Sequence, residues 1–307
     1  MRRALWLLAA CLLAGCSRQQ QADAPQADQN VAAAPAPTAT PPHRLLVMAT
    51  IAPMYCFTKN VAGDLADVEM IVPPGVDGGT FQPTPDQVQH ILQADVIVEN
   101  GFGFEGWMDK IESQGLKPGA IRVLAGRGTG PGIPGLPGDP DSPPAGAPLD
   151  LDGPPDPHVW LDPVMAIKEV QNIRDALMAR DPAHADQYLA NENHYEGDLR
   201  DLDDEVGQAT VDIQKRNLLC WDDTFTYFLS RYQFNVTAVL DRDASKTVPL
   251  PKSDGVLAPS GVDSPELNGL HLPIVRADPM QSGSASTDFY MQVTRANVAA
   301  LRQGLSR

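Results

Sequence analysis

Cysteine is scarce in this chain, four residues in 307. None stands in a Cys-x-x-Cys spacing, which excludes a disulfide-dense scaffold and a thiolate zinc site of the finger or ribbon type. Cys11 and Cys16 sit at the N-terminus, leaving Cys56 and Cys220 in the body of the chain. These two read first as buried small residues, second as a disulfide and third as metal ligands; sequence alone does not fix their pairing. Basic residues are also few, 23 Lys and Arg against 39 Asp and Glu, for a net charge of −16. Phosphate backbones are held by basic patches, so nucleic acid is excluded as a partner. The acidic surface serves solubility first and cation capture second. There is no Gly-x-Ser-x-Gly elbow, no His-Glu-x-x-His and no phosphate loop. A His–Asp pair without a nucleophile or an activated water is not a catalytic machine, and the chain is read as no enzyme.

What is present begins at the N-terminus. Arg2 and Arg3 precede an apolar run, Ala4 to Leu13, too short for an ordinary membrane span. Leu13-Ala14-Gly15-Cys16 then reads as a lipobox. In bacterial lipoproteins that motif precedes cleavage before the cysteine, whose thiol receives diacylglycerol. Residues 1–15 are thus expected to be a signal peptide and Cys16 the lipidated first residue of the mature protein. Several acyl chains anchor far more firmly than one. Ser17 resembles lipoproteins sent to the outer membrane rather than kept in the inner one. Residues 16–43 are Gln-, Ala- and Pro-rich. They cannot bury enough apolar surface to offset their ordering entropy, and are expected to be a disordered tether.

The rest alternates short apolar runs with helical patterns, which predicts parallel sheets with helices on their faces. Strands are expected at 44–50, 68–72, 95–99, 121–124, 217–221 and 235–240, with a further apolar segment at 255–258. Helices are expected from Pro53 to a Gly63 cap, across 83–93 with Thr84 as N-cap, from Pro163 to Asp181, across 184–214, 224–232 and 287–304. On the third of these Ala166, Val170, Ile173 and Leu177 share one face. The 184–214 helix is long and charged, with a thin stripe of Leu189, Leu199, Leu202 and Val206, as expected of a helix that crosses between lobes. Residues 126–157, crowded with Gly and Pro, read as a surface loop.

The most informative segment is Asp156-Pro157-His158-Val159-Trp160-Leu161-Asp162-Pro163. One histidine stands near two prolines and two acids. Proline fixes φ, so the loop has few conformations, and neutral imidazole is the commonest metal ligand. Trp107, Trp160 and Tyr55 read as packing residues, while His90, His184 and His194 read as solvated. His271 precedes an expected strand, a position from which it could approach the cleft.

In order along the chain, Val72-Pro73-Pro74-Gly75-Val76-Asp77 with Phe81-Gln82-Pro83-Thr84-Pro85, Asn100-Gly101 through Gly106-Trp107-Met108, the Asp156–Pro163 loop, Asp222 to Phe228, and Ala277-Asp278-Pro279-Met280 resemble the metal-binding solute receptors of zinc and manganese ABC transporters, the cluster A-I or TroA-like group. The resemblance covers most of residues 44–307. It implies an α/β fold of two parallel-sheet lobes joined by a long helix, an N-terminal lobe over 44–163, a helical region over 164–214 and a C-terminal lobe over 215–307. It also implies a divalent cation as cargo and an ABC permease as partner. The family's ligands run His, His, His or carboxylate, then an acid. His158 matches the second position, Asp222 the third and Asp278 the fourth, with Asp77 an additional candidate. The first falls on Gly79, two residues before Phe81, which has no side chain to donate. One imidazole among carboxylates suits manganese better than zinc. The stretch from Asp241 to Pro251 is shorter than the helix-bearing connection of the family, so the C-terminal lobe is expected to be reduced. The expected molecule is an envelope receptor, monomeric and held to the membrane by its lipid. The alternative is a lipoprotein that keeps the fold, with a degenerate metal site, and acts in protein contact or adhesion.

Overall fold

The apolar runs of the first 125 residues pair into one sheet. The computed structural model describes residues 44–129, 156–240, 250–281 and 283–306. Strands β1 (Leu45–Ala49), β2 (Ala66–Met70), β3 (Val96–Glu99) and β4 (Ile121–Leu124) lie in the order β2-β1-β3-β4, all parallel. The central strands β1 and β3 are apolar almost throughout because both their faces are covered. Edge strand β2 alternates and starts two residues before the apolar run Val68–Val72, because Ala66 pairs with Leu45. Ile71 and Val72 stay buried beyond it, bonded to Ala49 and Thr50. A second sheet repeats the plan: β5 (Asn217–Cys220), β6 (Asn235–Val239), β7 (Gly255–Pro259) and β8 (Ile274–Ala277) run parallel in the order β6-β5-β7-β8. The C-terminal sheet thus has as many strands as the N-terminal one. The 241–249 part of the expected shortened connection lies outside the described residues, as do the signal segment, Cys16, the tether and most of the 126–157 loop.

Helices start where the caps predict. Pro53 lies in the first turn of α1 (Ala52–Ala62), which Gly63 closes at φ 55°. Thr84 caps α2 (Pro85–Ile91) in a reciprocal capping box with Gln87. The Asp162 carboxylate accepts from the amides of Val164 and Met165 at the head of α4 (Pro163–Arg180). Its buried face carries the expected Ala166, Val170, Ile173 and Leu177. The long helix α5 (Ala185–Thr210) packs on α1 and α4 at one end of the molecule. It also packs on α8 (Phe289–Leu305), which covers the second sheet, so α5 links the two lobes. Its buried stripe is Tyr188, Glu192, Tyr195, Leu199, Leu202 and Val206. The expected Leu189 is exposed: the stripe is set one residue back, where tyrosines supply the area. Three five- or six-residue helices complete the fold: α3 (Met108–Glu112), α6 (Thr226–Arg231) and α7 (Pro265–Gly269). The main apolar core draws on residues from Leu45 to Leu305, with smaller clusters around Leu219 and Val159. No helix among the described residues is long and apolar enough to cross a membrane.

Candidate functional site

In open parallel sheets, ligands bind beyond the carboxyl ends of the strands, where the strand order reverses. Here the loop after β2 carries Asp77, the turn after β5 carries Asp222, and the turn after β8 carries Asp278. His158 opens a 3₁₀ turn, His158–Leu161, directly before α4. All four candidate residues line one cavity of about 790 Å³, with Asp223 and Gln281 beside them. A water occupies roughly 30 Å³, so this space would hold a cation with much of its hydration shell. Among the described residues no three of His, Cys, Asp or Glu stand close enough together to hold an ion. The structure thus gathers the predicted donors around one space without closing them on a point.

His158 is the most constrained of them. It is buried, and Asp156 Oδ1 accepts from its backbone amide at 3.0 Å while standing 2.7 Å from its Nδ1. A carboxylate only accepts, so Nδ1 carries the proton and the Nε2 lone pair faces the cavity. The Gln281 amide nitrogen donates to that lone pair at 2.9 Å. Phe104 and Trp160 stand edge-on to the imidazole, with centroids 6.2 and 5.1 Å away. The loop is fixed from three sides. Asn100 Nδ2 donates to Pro157 O (2.9 Å), the Tyr227 hydroxyl to Asp156 O (3.3 Å) and Trp160 Nε1 to Pro279 O (3.0 Å). Asp162, the other acid of the motif, does not face His158; it caps α4 and lies 3.8 Å from Arg231. Burial pushes its carboxyl up to about 6.

The carboxylates each commit one oxygen to a turn. Asp222 Oδ1 accepts from Thr224 N (3.1 Å), and Asp77 Oδ1 from Thr80 N (2.9 Å) and Oγ1 (3.1 Å). Asp278 Oδ1 accepts from Met280 N (2.8 Å), and Asn297 clamps the Asp278 backbone at both its amide (2.7 Å) and its carbonyl (2.9 Å). Met280 is buried with φ 61°, a left-handed conformation that costs a non-glycine residue about 1 kcal/mol or more. Behind the site, Glu105 is buried and takes hydrogen bonds from Thr50 Oγ1, Asn100 N and Gly101 N. Burial outweighs these bonds and raises its pKa to about 7. Fully buried Glu169 is also raised, by burial and then by the charge of Glu105.

Both described cysteines are free and buried. Burial, then the charge of Asp222, pushes the Cys220 thiol up to about 12, and Cys220 does not line the cavity. Tyr55 packs against the core, and His271 is exposed away from the cavity lining. His90 and His184 pair with Glu69 and Asp181 at the surface, and His194 is exposed. Sequence reasoning missed Gln281 and Glu105. A lone amide carries no spacing signal, and a glutamate that folds inward to hold a loop looks like any surface acid in one dimension.

A profile of the family described as ZnuA, zinc-uptake complex component A, periplasmic, matches residues 47–252, more than half of the chain. The chain belongs to this family. ZnuA-family members are solute-binding proteins rather than enzymes. The chain is 30% identical over 189 residues to the high-affinity zinc uptake system protein ZnuA of Bacillus subtilis, covering 62% of this chain and 59% of that one. It is 30% identical over 184 residues to the manganese-binding lipoprotein MntA of Halalkalibacterium halodurans (59% and 55%). It is 31% identical over 191 residues to the iron-binding protein YfeA of Yersinia pestis (61% and 57%). The chain spans well under two thirds of the length of these relatives. In fold it matches FpvC of Pseudomonas aeruginosa, solved with Mn2+, at a TM-score of 0.70 and 20% identity, covering 86% of this chain and 99% of that one. The Zn(II)-bound ZnuA-like domain of Streptococcus pneumoniae AdcA matches at 0.66 and 24% identity (86% and 100%).

Within this ZnuA-family chain, adjacent glycines in the loop after β2 differ in kind. A Cβ at Gly78 would meet Ile51 Cγ2 at 2.5 Å, so Gly78 is required by close approach. A Cβ at Gly79 would meet only the Phe104 ring and Asp77 Oδ1, both at 3.4 Å, in ordinary contact. Position 79 therefore accepts a side chain, one ring away from His158, but this chain has none there.

Proposed function

We propose that this protein is a lipid-anchored receptor that binds a divalent cation outside the cytoplasm and delivers it to an ABC permease. The observation that carries the reading is the presentation of His158. Asp156 accepts a hydrogen bond from its Nδ1–H, and its Nε2 faces a cavity shared with Asp77, Asp222 and Asp278. A carboxylate behind a histidine is the usual support of a metal-binding imidazole, fixing its tautomer and raising its basicity. Relatives named for zinc, manganese and iron match at about the same identity, so likeness does not select the cargo. The donors favour manganese: one nitrogen and several carboxylate oxygens make a harder site than zinc prefers. Cys16 supplies the anchor, on the periplasmic side of the envelope; Ser17 weighs against this reading in a two-membrane cell, because an outer-membrane anchor would hold the receptor away from an inner-membrane permease. The receptor works as a monomer.

The test is calorimetric titration of the metal-stripped chain with manganese and zinc, beside His158→Ala. Micromolar or tighter binding that His158→Ala removes supports the receptor. A second reading is favoured by Gly79 and by the spacing of the donors, which leaves no three within reach of one ion among the described residues. In that reading the site is degenerate and the fold serves protein contact in the envelope. Absence of binding to either metal would mean that the cleft is vestigial and would turn the search to protein partners in the envelope.

A further inference from the structure

Gln281 stands where nothing in the family pattern puts a donor. It lines the cavity three residues after Asp278, and its terminal amide lies 2.9 Å from His158 Nε2. Two donors bound side by side to one divalent ion, each about 2.1 Å from it and at right angles, are separated by roughly 2.9–3.1 Å. The His158–Gln281 distance is that spacing. The approach is built into the chain. Asp278 Oδ1 holds the Met280 amide, Met280 takes a left-handed φ of 61° with its side chain buried, and Trp160 Nε1 holds the Pro279 carbonyl. That strained corner brings the Gln281 amide to His158 Nε2.

Resting on the receptor reading, we propose that Gln281 is a cargo ligand, its amide oxygen standing in for the donor that Gly79 lacks. An amide carries a donor nitrogen and an acceptor oxygen at nearly the same place, exchanged by half a turn of its last torsion. With the nitrogen inward, its N–H satisfies the Nε2 lone pair. With the oxygen inward, two lone pairs would face each other unless a cation lay between them. The same side chain can thus cap His158 by itself or join it on an ion. The direct donors would then be His158 Nε2 and Gln281 Oε1, with Asp222 and Asp278 across the same cavity reaching the ion through its hydration shell, a set with a single nitrogen that favours manganese.

The test is titration of the metal-stripped intact chain with manganese and zinc, as wild type, His158→Ala, Gln281→Ala and Gln281→Glu. Gln281→Ala is expected to lower manganese affinity about tenfold or more, on the scale of a lost metal-site partner. Gln281→Glu, which has an acceptor but no amide donor, is expected to bind manganese at least as tightly as wild type. Unchanged or tighter binding in Gln281→Ala, or weaker binding in Gln281→Glu, overturns the proposal while His158-dependent binding by wild type keeps the receptor reading. Wild type that binds neither metal overturns both.

Discussion

The two sides of the cleft share a plan and differ in chemistry. Each sheet places its second-numbered strand at one edge and its first next to it, and each offers loops at the carboxyl ends of its strands. The N-terminal side presents one rigid nitrogen: His158 is held by Asp156, ringed by Phe104 and Trp160, and tied through Asn100 to the Glu105 scaffold. The C-terminal side presents oxygens on turns, Asp222 and Asp278, each with one oxygen spent on its own backbone. Topology fixes where a site lies, while side chains at a few loop positions fix what it holds. The difference is thus one of element as well as position: nitrogen from one side, oxygen from the other.

The strongest test of N-terminal rigidity is Glu105. Its folded-state pKa of about 7 lies above the ordinary value of 4.5, so the folded state holds a proton that the unfolded chain has lost. The stabilisation is complete below pH 4.5 and disappears as pH rises through about 7, amounting to up to about 3 kcal/mol. Asp162 and Glu169 shift in the same direction; Glu105→Gln leaves the burial of both in place and removes only the smaller contribution that the Glu105 charge makes at Glu169. Urea denaturation of wild type and Glu105→Gln across pH 4.5–8 should therefore show wild type losing this extra stability and the variant lacking that loss. Parallel profiles would remove Glu105 as the titrating support of the Asn100–Pro157 contact.

Next in size is the restoration of the missing donor. Gly79→His should raise zinc affinity about thirtyfold, ~2 kcal/mol, and move preference from manganese to zinc. Gly78→His is the control: its Cβ has no room beside Ile51, so it should destabilise the fold by about 1–3 kcal/mol without the gain. Equal zinc affinity in Gly79→His and wild type would break the contrast between the two sides. Asp156→Ala follows, with manganese affinity falling about tenfold as His158 loses its orienting partner. The loss should exceed that of any single C-terminal turn residue that is not itself a ligand, such as Thr224. An unaltered titration would mean that the neighbouring rings alone hold the imidazole.

Much of this was legible in one dimension. Strands and caps carried the lobe plan because proline, glycine and Thr84 mark helix ends by local chemistry, and α4 announced its buried face by period. The short helices α3 and α7 fall below the length at which periodicity can speak. Leu189 was misplaced because tyrosines fill the buried stripe of α5. The motif loops gave His158, Asp77, Asp222 and Asp278, and the fold brings all four to one cavity. Gln281 was invisible because its position depends on the left-handed turn at Met280, a tertiary feature held by Trp160 from a distant part of the chain.

The smallest expected effect concerns Asp77, and it decides how far the contrast extends. Asp77 is the one carboxylate on the N-terminal side of the cavity lining, and both bonds to its Oδ1 come from Thr80, within a surface turn. Asparagine keeps that acceptor, so Asp77→Asn preserves the turn and removes only the charge. A charge at the rim of an open, solvated cleft acts through water and is screened, which limits its contribution to about 0.6 kcal/mol, or about threefold in manganese affinity. The change should shrink further as salt is raised. A loss of tenfold or more that persists at high salt would make Asp77 a direct ligand. The N-terminal side would then supply oxygen as well as nitrogen, and the cation would sit nearer the β2 loop than the His158–Gln281 pair requires.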